Sequence, residues 1–134
     1  MNMAAQDFDP ILRDQAEQVL GLMRAQGFDQ AQVSVGWHRQ SELNVAHNEP
    51  SLMRSTEQSR VSLLGLLDGR RASTELSSLD DASLRHGVAE LYAAAQAAPQ
   101  DAANAVSANQ RARIAQGPLD ADPVLLADTM AELL

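Results

Sequence analysis

The sequence predicts an α+β fold in which a small, mainly antiparallel sheet of three or four strands packs with two long helices. Three observations support this prediction. Residues 33–37 alternate apolar with polar side chains, as in a strand with one buried face. Residues 61–67 are almost continuously apolar and precede Asp68-Gly69, a strong hairpin signal. Apolar side chains at helical spacing then follow Asp80, a residue type that caps helices.

The first helix is predicted at residues 10–26, after a flexible lead at residues 1–9. Asp9-Pro10 joins an N-cap oxygen to a proline suited to the first helical position, and Gly27 supplies a C-terminal stop. Six apolar residues share one helical face, which should pack on the sheet: Ile11, Leu12, Ala16, Val19, Leu20 and Met23.

The first strands are predicted within residues 32–47. Residues 32–38 alternate, Gln40-Ser41 indicate a turn, and Leu43 and Val45 resume the alternation to about His47. The predicted order of elements is α-β-β-(β)-β-β-α, followed by a C-terminal helix.

The later strands are predicted within residues 52–75. Pro50 limits strand pairing at that position. Residues 52–57 are the additional strand that stands in parentheses in the predicted order of elements. Residues 61–67 are expected to form a central strand covered on both faces, and residues 70–75 to pair back along it.

The second long helix is predicted at residues 80–98, ending before Pro99. Its apolar positions are Leu84, Val88, Leu91, Tyr92 and Ala95. Residues 100–122 have the polar and alanine-rich composition of a linker, and residues 123–134 begin a helix of a following segment. No stop signal follows Leu133-Leu134, so we expect the native protein to continue beyond them.

Composition limits the classes of function. The net charge is −8 and all 10 basic residues are arginine, which disfavours direct binding of nucleic acid. There are no cysteines, so disulfides, thiolate zinc sites and cysteine nucleophiles are excluded within these residues. The sequence contains no signal peptide or membrane-spanning run, and we expect a cytoplasmic protein.

The order of these patterns resembles the N-terminal domain of the TldD/PmbA family, long called modulators of DNA gyrase and regarded as zinc metallopeptidases. The resemblance is carried by the helix ending near Gly27, the strand Ala31-Gln-Val-Ser-Val35, the hairpin of residues 61–74 and the helix from Leu79-Asp-Asp-Ala-Ser-Leu84 to Pro99. It covers residues 10–99. The chain departs from the family at His47-Asn48-Glu49-Pro50, where a short Asn-Gly turn followed by Glu is usual.

The resemblance implies a non-catalytic N-terminal domain of a metallopeptidase subunit that acts in peptide maturation or degradation and forms a homo- or hetero-dimer with a family partner. The TldD branch carries a His-Glu-x-x-x-His motif on a later helix, which is missing from these residues; the PmbA branch lacks it altogether. Zinc would therefore belong to a C-terminal domain outside this sequence. We predict no catalytic, metal-binding or cofactor-binding residue here and no activity of this chain alone, and the residues do not distinguish the two branches.

Candidate side chains for chemistry have structural explanations. His38, His47 and His86 lack the spacing of zinc ligands. Acidic residues at two helix starts are best explained as caps and dipole partners rather than as an acid–base pair or a calcium site: Asp80, Asp81, Asp120 and Asp122. Four arginines could gather near the hairpin and hold an acidic partner, but a solvated strand face is the favoured interpretation: Arg54, Arg60, Arg70 and Arg71.

The most promising candidate for a functional feature is the exposed backbone of an edge strand, at residues 32–38 or 70–75. Such an edge can accept an extended peptide or unfolded protein through main-chain hydrogen bonds. The alternative from another class is a stand-alone interaction adaptor with no peptidase anywhere in the protein. An independent hydrolase would need a catalytic constellation that these residues do not provide.

Overall fold

The computed structural model describes residues 8–108 and 122–133. The α+β class predicted from the sequence is confirmed, and the sheet has three strands in the order β1-β2-β3. The elements along the chain are α1 Phe8–Gln26, β1 Gln30–Ala46, β2 Glu49–Leu67, β3 Arg70–Leu76, α2 Asp81–Ala97 and α3 Pro123–Leu133.

The chain divides into two compact units. The first contains residues 8–36 and 59–108, and the second contains residues 37–58 and 122–133. Strands β1 and β2 each contribute to both units. The core described below belongs to the first unit.

Helices α1 and α2 cover one face of the sheet in the first unit. Burial follows the predicted helical faces: Val19 and Met23 of α1 are fully buried, while Ile11 at its beginning is 42% exposed. Helix α1 includes Phe8 and Asp9, so Asp9 lies inside it rather than at its cap, and residues 1–7 of the predicted lead lie outside the described residues. The cluster of buried side chains consists of Val19, Met23, Phe28, Val61, Leu63, Leu84, Val88, Leu91 and Ala95.

Strands β2 and β3 form the predicted hairpin. Their antiparallel register runs from Val61 opposite Leu76 to Leu67 opposite Arg70, and Asp68 and Gly69 make the turn with φ values of 50° and 71°. Positive φ at both central residues is the signature of a type I′ turn, whose twist suits a hairpin.

One face of β2 at residues 61–67 is less covered than predicted, since the sequence indicated a strand covered on both faces. Val61 and Leu63 are buried beneath the helices, whereas Ser62 and Leu64, on the other face, border an open concavity. Leu66 is buried, but it lies outside the main cluster. The covering of the second face is therefore incomplete, because polar side chains share it with Leu64.

Phe28 explains why β2 has a glycine at position 65. A Cβ atom built on Gly65 would lie 2.4 Å from Cε1 of the Phe28 ring, far closer than carbon atoms pack. The ring also meets Tyr92 edge-on, with centroids 5.4 Å apart. Gly65 lies opposite Ala72 in the register, so two small residues leave room for the aromatic pair.

Helix α2 begins and packs as its sequence predicts. Asp80 is the N-cap, and its carboxylate accepts the Ser83 N–H at 2.9 Å. The helix contacts both α1 and β3. A Cβ atom on Gly87 would lie 2.6 Å from a methyl carbon of Leu76, so the glycine allows α2 to approach the end of β3 closely.

The second unit contains a two-stranded ribbon, defined here as residues 37–58. Its turn is His47-Asn48, with φ values of 52° and 60°, a two-residue type I′ turn like that of the other hairpin. The predicted turn at Gln40-Ser41 is wrong, because β1 continues through both residues. Their side chains have partners compatible with a strand: Gln40 donates to Glu42 at 2.6 Å, and the Ser41 and Ser55 hydroxyls lie 3.0 Å apart.

The additional strand predicted at residues 52–57 is part of β2, which also includes Pro50. The proline is tolerated because β3 does not pair with this part of β2; its register with β2 begins at Val61. The sheet therefore has three long or medium strands rather than four shorter ones.

Helix α3 forms where Asp122-Pro123 predicts it. The Asp122 carboxylate accepts the N–H groups of Val124 at 2.9 Å and Leu125 at 3.3 Å, as an N-cap does. None of its residues is buried, and Val124, Leu125 and Leu133 are 67%, 63% and 75% exposed.

Candidate functional site

The two edges of the sheet are β1 and β3, because β2 lies between them. Within residues 8–108 and 122–133, each edge strand has one neighbouring strand. Edge strands present unpaired main-chain N–H and C=O groups, which can pair with an added strand. The two predicted peptide-binding segments therefore lie where an extended peptide could be accepted.

The edge of β3 is partly occupied where the strand begins. Arg70 pairs with Gln100 through an isolated antiparallel bridge, and its guanidinium donates to the carbonyl of Ala98. The Asp101 N–H donates to the carbonyl of Gly69 at 2.9 Å. An added strand would therefore have to displace existing contacts at this end of β3.

Residues 98–108 form a strap, so called here because they cross from the start of β3 to the start of β1. Asn104 donates its side-chain amide to Gly69 O at 2.9 Å, and the Val106 N–H donates to Gln30 Oε1 at 3.1 Å. These residues include the beginning of the predicted linker 100–122, most of whose remainder lies outside the described residues. Sequence reasoning missed the strap, although Asp101 and Asn104 are residue types that bond to nearby backbone.

The edge of β1 is lined by half-buried apolar side chains on the side that faces the helices. Ala31, Val33 and Val35 pack against the core cluster but remain partly exposed. Their exposed neighbours Gln32 and Ser34 lie on the opposite face. An extended peptide beside this edge would find an apolar surface on one face and a polar surface on the other.

A concavity of about 280 Å³ lies at the beginning of the β1 edge. It is lined by the end of α1, the first residues of β1 and the end of the strap, namely Leu20, Arg24, Phe28, Asp29, Gln30, Ala31 and residues 106–108. The Asp29 carboxylate accepts the Asp68 N–H at 2.7 Å, and the Asp29 N–H donates to Leu66 O at 3.0 Å. Asp29 thus ties the start of β1 to the neighbouring hairpin turn.

A second concavity, of about 410 Å³, lies on the uncovered face of the sheet. Polar side chains dominate its lining, which includes Ser34 on β1, Ser62 on β2, and Ser73 and Glu75 on β3. Glu75 is 3.5 Å from the Ser62 hydroxyl and 3.8 Å from the Arg60 guanidinium. This surface is a solvated sheet face whose one carboxylate already has partners.

The histidines do not converge on one another. His38 is an exposed strand residue and His47 lies in the ribbon turn. His86 Nε2 is 3.1 Å from Glu90 Oε1 on the exposed side of α2. In the described part of the chain, no three histidine, aspartate or glutamate side chains come close enough to hold a metal ion. That no residue here is catalytic, metal-binding or cofactor-binding stays a prediction.

Most of the candidate acidic residues have structural partners. Hydrogen bonds from the Ser78 hydroxyl and then from the Ser83 N–H lower the pKa of Asp80 to about 2, so this cap is charged near neutral pH. Asp81 forms an ion pair with Arg85 at 2.7 Å, one helical turn along α2. Asp122 caps α3. Asp120 lies outside the described residues.

The four candidate arginines differ in their positions and in their partners. Arg54 pairs with Glu42 at 2.7 Å within the ribbon. Arg60 precedes the first pair of the β2–β3 ladder, whereas Arg70 is in the last pair, so the structure does not bring these two together. Arg71 is exposed on β3. The interpretation as a solvated strand face fits these positions better than a single anion site does.

No helix in the described residues is both long and apolar enough to cross a membrane. No protein-family model matches the sequence, and no curated protein matches it. Solved structures do match. One is the crystal structure of TldE from Thermococcus kodakarensis, with a TM-score of 0.66 and 17% sequence identity.

The match to TldE covers 88% of this chain and 28% of the TldE chain. At this identity the likeness concerns the fold alone. The chain therefore has a TldD/TldE-like fold, and it spans a little over a quarter of the solved protein that it resembles.

Proposed function

We propose that this chain is the non-catalytic N-terminal domain of a TldD/PmbA-like metallopeptidase subunit that acts in peptide maturation or degradation. The observation that carries the proposal is the likeness to TldE, which extends over 88% of this chain but only 28% of the other. A domain with this relation to a longer protein leaves the metal chemistry to residues outside the sequence. The same proposal includes zinc bound outside this sequence, a homo- or hetero-dimer with a family partner, and a cytoplasmic location.

The domain's own contribution is structural support and the binding of extended peptide at a sheet edge. Main-chain hydrogen bonding depends little on the sequence of the bound peptide, which suits a peptidase that acts on unfolded segments. The partly exposed apolar side chains along β1 add a surface for the peptide's own side chains. The polar outer face next to them keeps the free domain compatible with water.

An NMR titration with an unstructured peptide tests this contribution. We expect amide shift changes at residues 32–38 or 70–75 of the isotope-labelled 134-residue chain, and no cleavage of the peptide by this chain. A saturating excess of peptide that leaves both segments unchanged would contradict peptide binding. Turnover by the chain alone would contradict the assignment as non-catalytic.

The second candidate function is a stand-alone protein-interaction adaptor. It is favoured by α3, whose Val124, Leu125 and Leu133 side chains are each more than 60% exposed, as on a helix that contacts a protein partner. Sequencing the native gene beyond the codon for Leu134 separates the two candidates. A reading frame that continues into a further domain supports the metallopeptidase subunit, and an immediate stop codon supports the adaptor.

A further inference from the structure

Arg24 differs from most arginines in the described chain because it has no acidic or carbonyl partner there. Five others each contact a carboxylate or a main-chain carbonyl: Arg39, Arg54, Arg60, Arg70 and Arg85. Arg24 is exposed in the last turn of α1, where the helix dipole favours a cation. Arg24 is one of the residues that line the concavity at the start of the β1 edge.

The same concavity is bounded by the end of the strap. Residues 106–108 contribute to its lining, and the Val106 N–H bonds to the side chain of Gln30, the first residue of β1. A peptide paired with β1 that continued past Gln30 would meet this segment. A peptide that ended beside Gln30 would not.

Strand direction decides which peptide terminus comes to the concavity. Antiparallel pairing is slightly more stable per residue than parallel pairing, and it places the C-terminus of an added strand beside the N-terminus of β1. The terminal carboxylate would then lie at the concavity that Arg24 lines. The arginine side chain is a donor whose planar fork matches carboxylate geometry. Because the chain carries a net charge of −8, recognition of a carboxylate depends on such a local cation.

We propose that the β1 edge binds extended peptides by their free C-terminus, antiparallel to β1, with the terminal carboxylate held by Arg24. The inference rests on the proposed binding of extended peptide and names the edge, the direction and the terminal group. Alternate side chains of the bound peptide are apolar, because they lie beside the half-buried Val33 and Val35.

Two unstructured peptides of identical sequence test the proposal. Each has eight residues, alternately apolar and polar; one has a free C-terminus and the other a C-terminal amide. Both are titrated into the isotope-labelled 134-residue chain by NMR. We expect the free acid to bind about five- to tenfold more tightly than the amide, with shift changes at residues 29–36. Arg24→Gln should abolish the difference between the two peptides.

Arg13→Gln and Arg71→Gln are the matched controls, since both arginines are exposed, one on α1 and the other on β3. Each control should keep the preference for the free acid. Equal binding of acid and amide at residues 29–36 would overturn the proposal while leaving peptide binding intact. A preference that Arg71→Gln removes and Arg24→Gln keeps would overturn it in favour of the β3 edge. Absence of shifts with either peptide would contradict the underlying function as well.

Discussion

The two halves of β2 differ in what surrounds them although they belong to one continuous strand. In the second half, Val61 and Leu63 are 0% and 1% exposed beneath the helices. In the first half, every residue from Glu49 to Gln58 is exposed. Strand pairing alone therefore does not create a core; the main cluster of buried side chains lies where helices cover the sheet. The two halves should owe their stability to different interactions.

The covered half depends on apolar burial, and the ribbon depends on its turn, its ladder and polar contacts across its two strands. In the ribbon, Arg39 Nε lies 2.9 Å from Glu57 Oε1, and the guanidinium also lies over the Trp37 ring at 5.0 Å. Exposed ion pairs contribute little, and a two-stranded ribbon is marginally stable by itself. We therefore expect the ribbon to open at a lower free energy than the covered unit.

Leucine truncations in the two halves test this comparison with the largest expected effect. Leu63→Ala removes a buried side chain and leaves a cavity, which should lower the free energy of unfolding by about 3 kcal/mol. Leu52→Ala is the matched control, because Leu52 is 51% exposed in the other half of β2 and its truncation should change stability by less than about 0.5 kcal/mol. Urea denaturation followed by circular dichroism measures both.

Equal losses in the two variants would break the comparison. They would mean that Leu52 is buried in the folded state in solution and that the ribbon has an apolar core of its own.

The unit that contains the covered half of β2 is also the part of the chain that the sequence predicts best. Alternation in residues 33–37, the continuous apolar run at 61–67 and the cap at Asp80 each reflect a local physical requirement, and each element forms. The error at Gln40-Ser41 has the opposite cause. Polar residues indicate a turn when a strand is assumed to need a buried face, but the largely exposed ribbon accepts them. Gln40 bonds to Glu42 along the same strand, and Ser41 meets Ser55 across the two strands.

Glycine substitutions probe the packing of the covered half with a smaller expected effect. Gly65→Ala forces the Phe28 ring away and should cost about 1–3 kcal/mol of unfolding free energy. Gly36→Ala is the control, because a Cβ atom there meets nothing within 4 Å, and it should change stability by less than about 0.5 kcal/mol. Chemical denaturation again gives the values.

A double-mutant cycle identifies Phe28 as the cause. In a Phe28→Leu background, Gly65→Ala should cost less than in the natural sequence, because the clashing ring is absent. An unchanged cost would show that the penalty arises from the strand backbone rather than from the ring.

The candidate site was harder to predict than the fold, because its geometry depends on contacts between residues distant in sequence. The two exposed edges follow from the predicted strands. The strap does not, since Val106 meets Gln30 across 76 positions and the segment was interpreted as a linker. The separation of Arg60 from Arg70, by contrast, follows from the predicted hairpin, because a two-residue turn at Asp68-Gly69 fixes the register and leaves the two arginines at opposite ends of the ladder.

The smallest predicted effect concerns the ion pair between Arg54 and Glu42 in the ribbon, whose side chains are 58% and 36% exposed. Arg54→Gln should lower the local opening free energy of the ribbon by about 0.5 kcal/mol or less, because solvent screens the pair. Salt at 1 M reduces the Debye length to about 3 Å and should remove most of the difference between variant and natural sequence. Amide hydrogen exchange measures local opening, and Arg85→Gln in α2 is the control that should leave ribbon exchange unchanged. Faster ribbon exchange in Arg54→Gln at low salt only would assign part of its order to this pair, whereas identical exchange under both conditions would assign that order to the His47-Asn48 turn and the strand ladder.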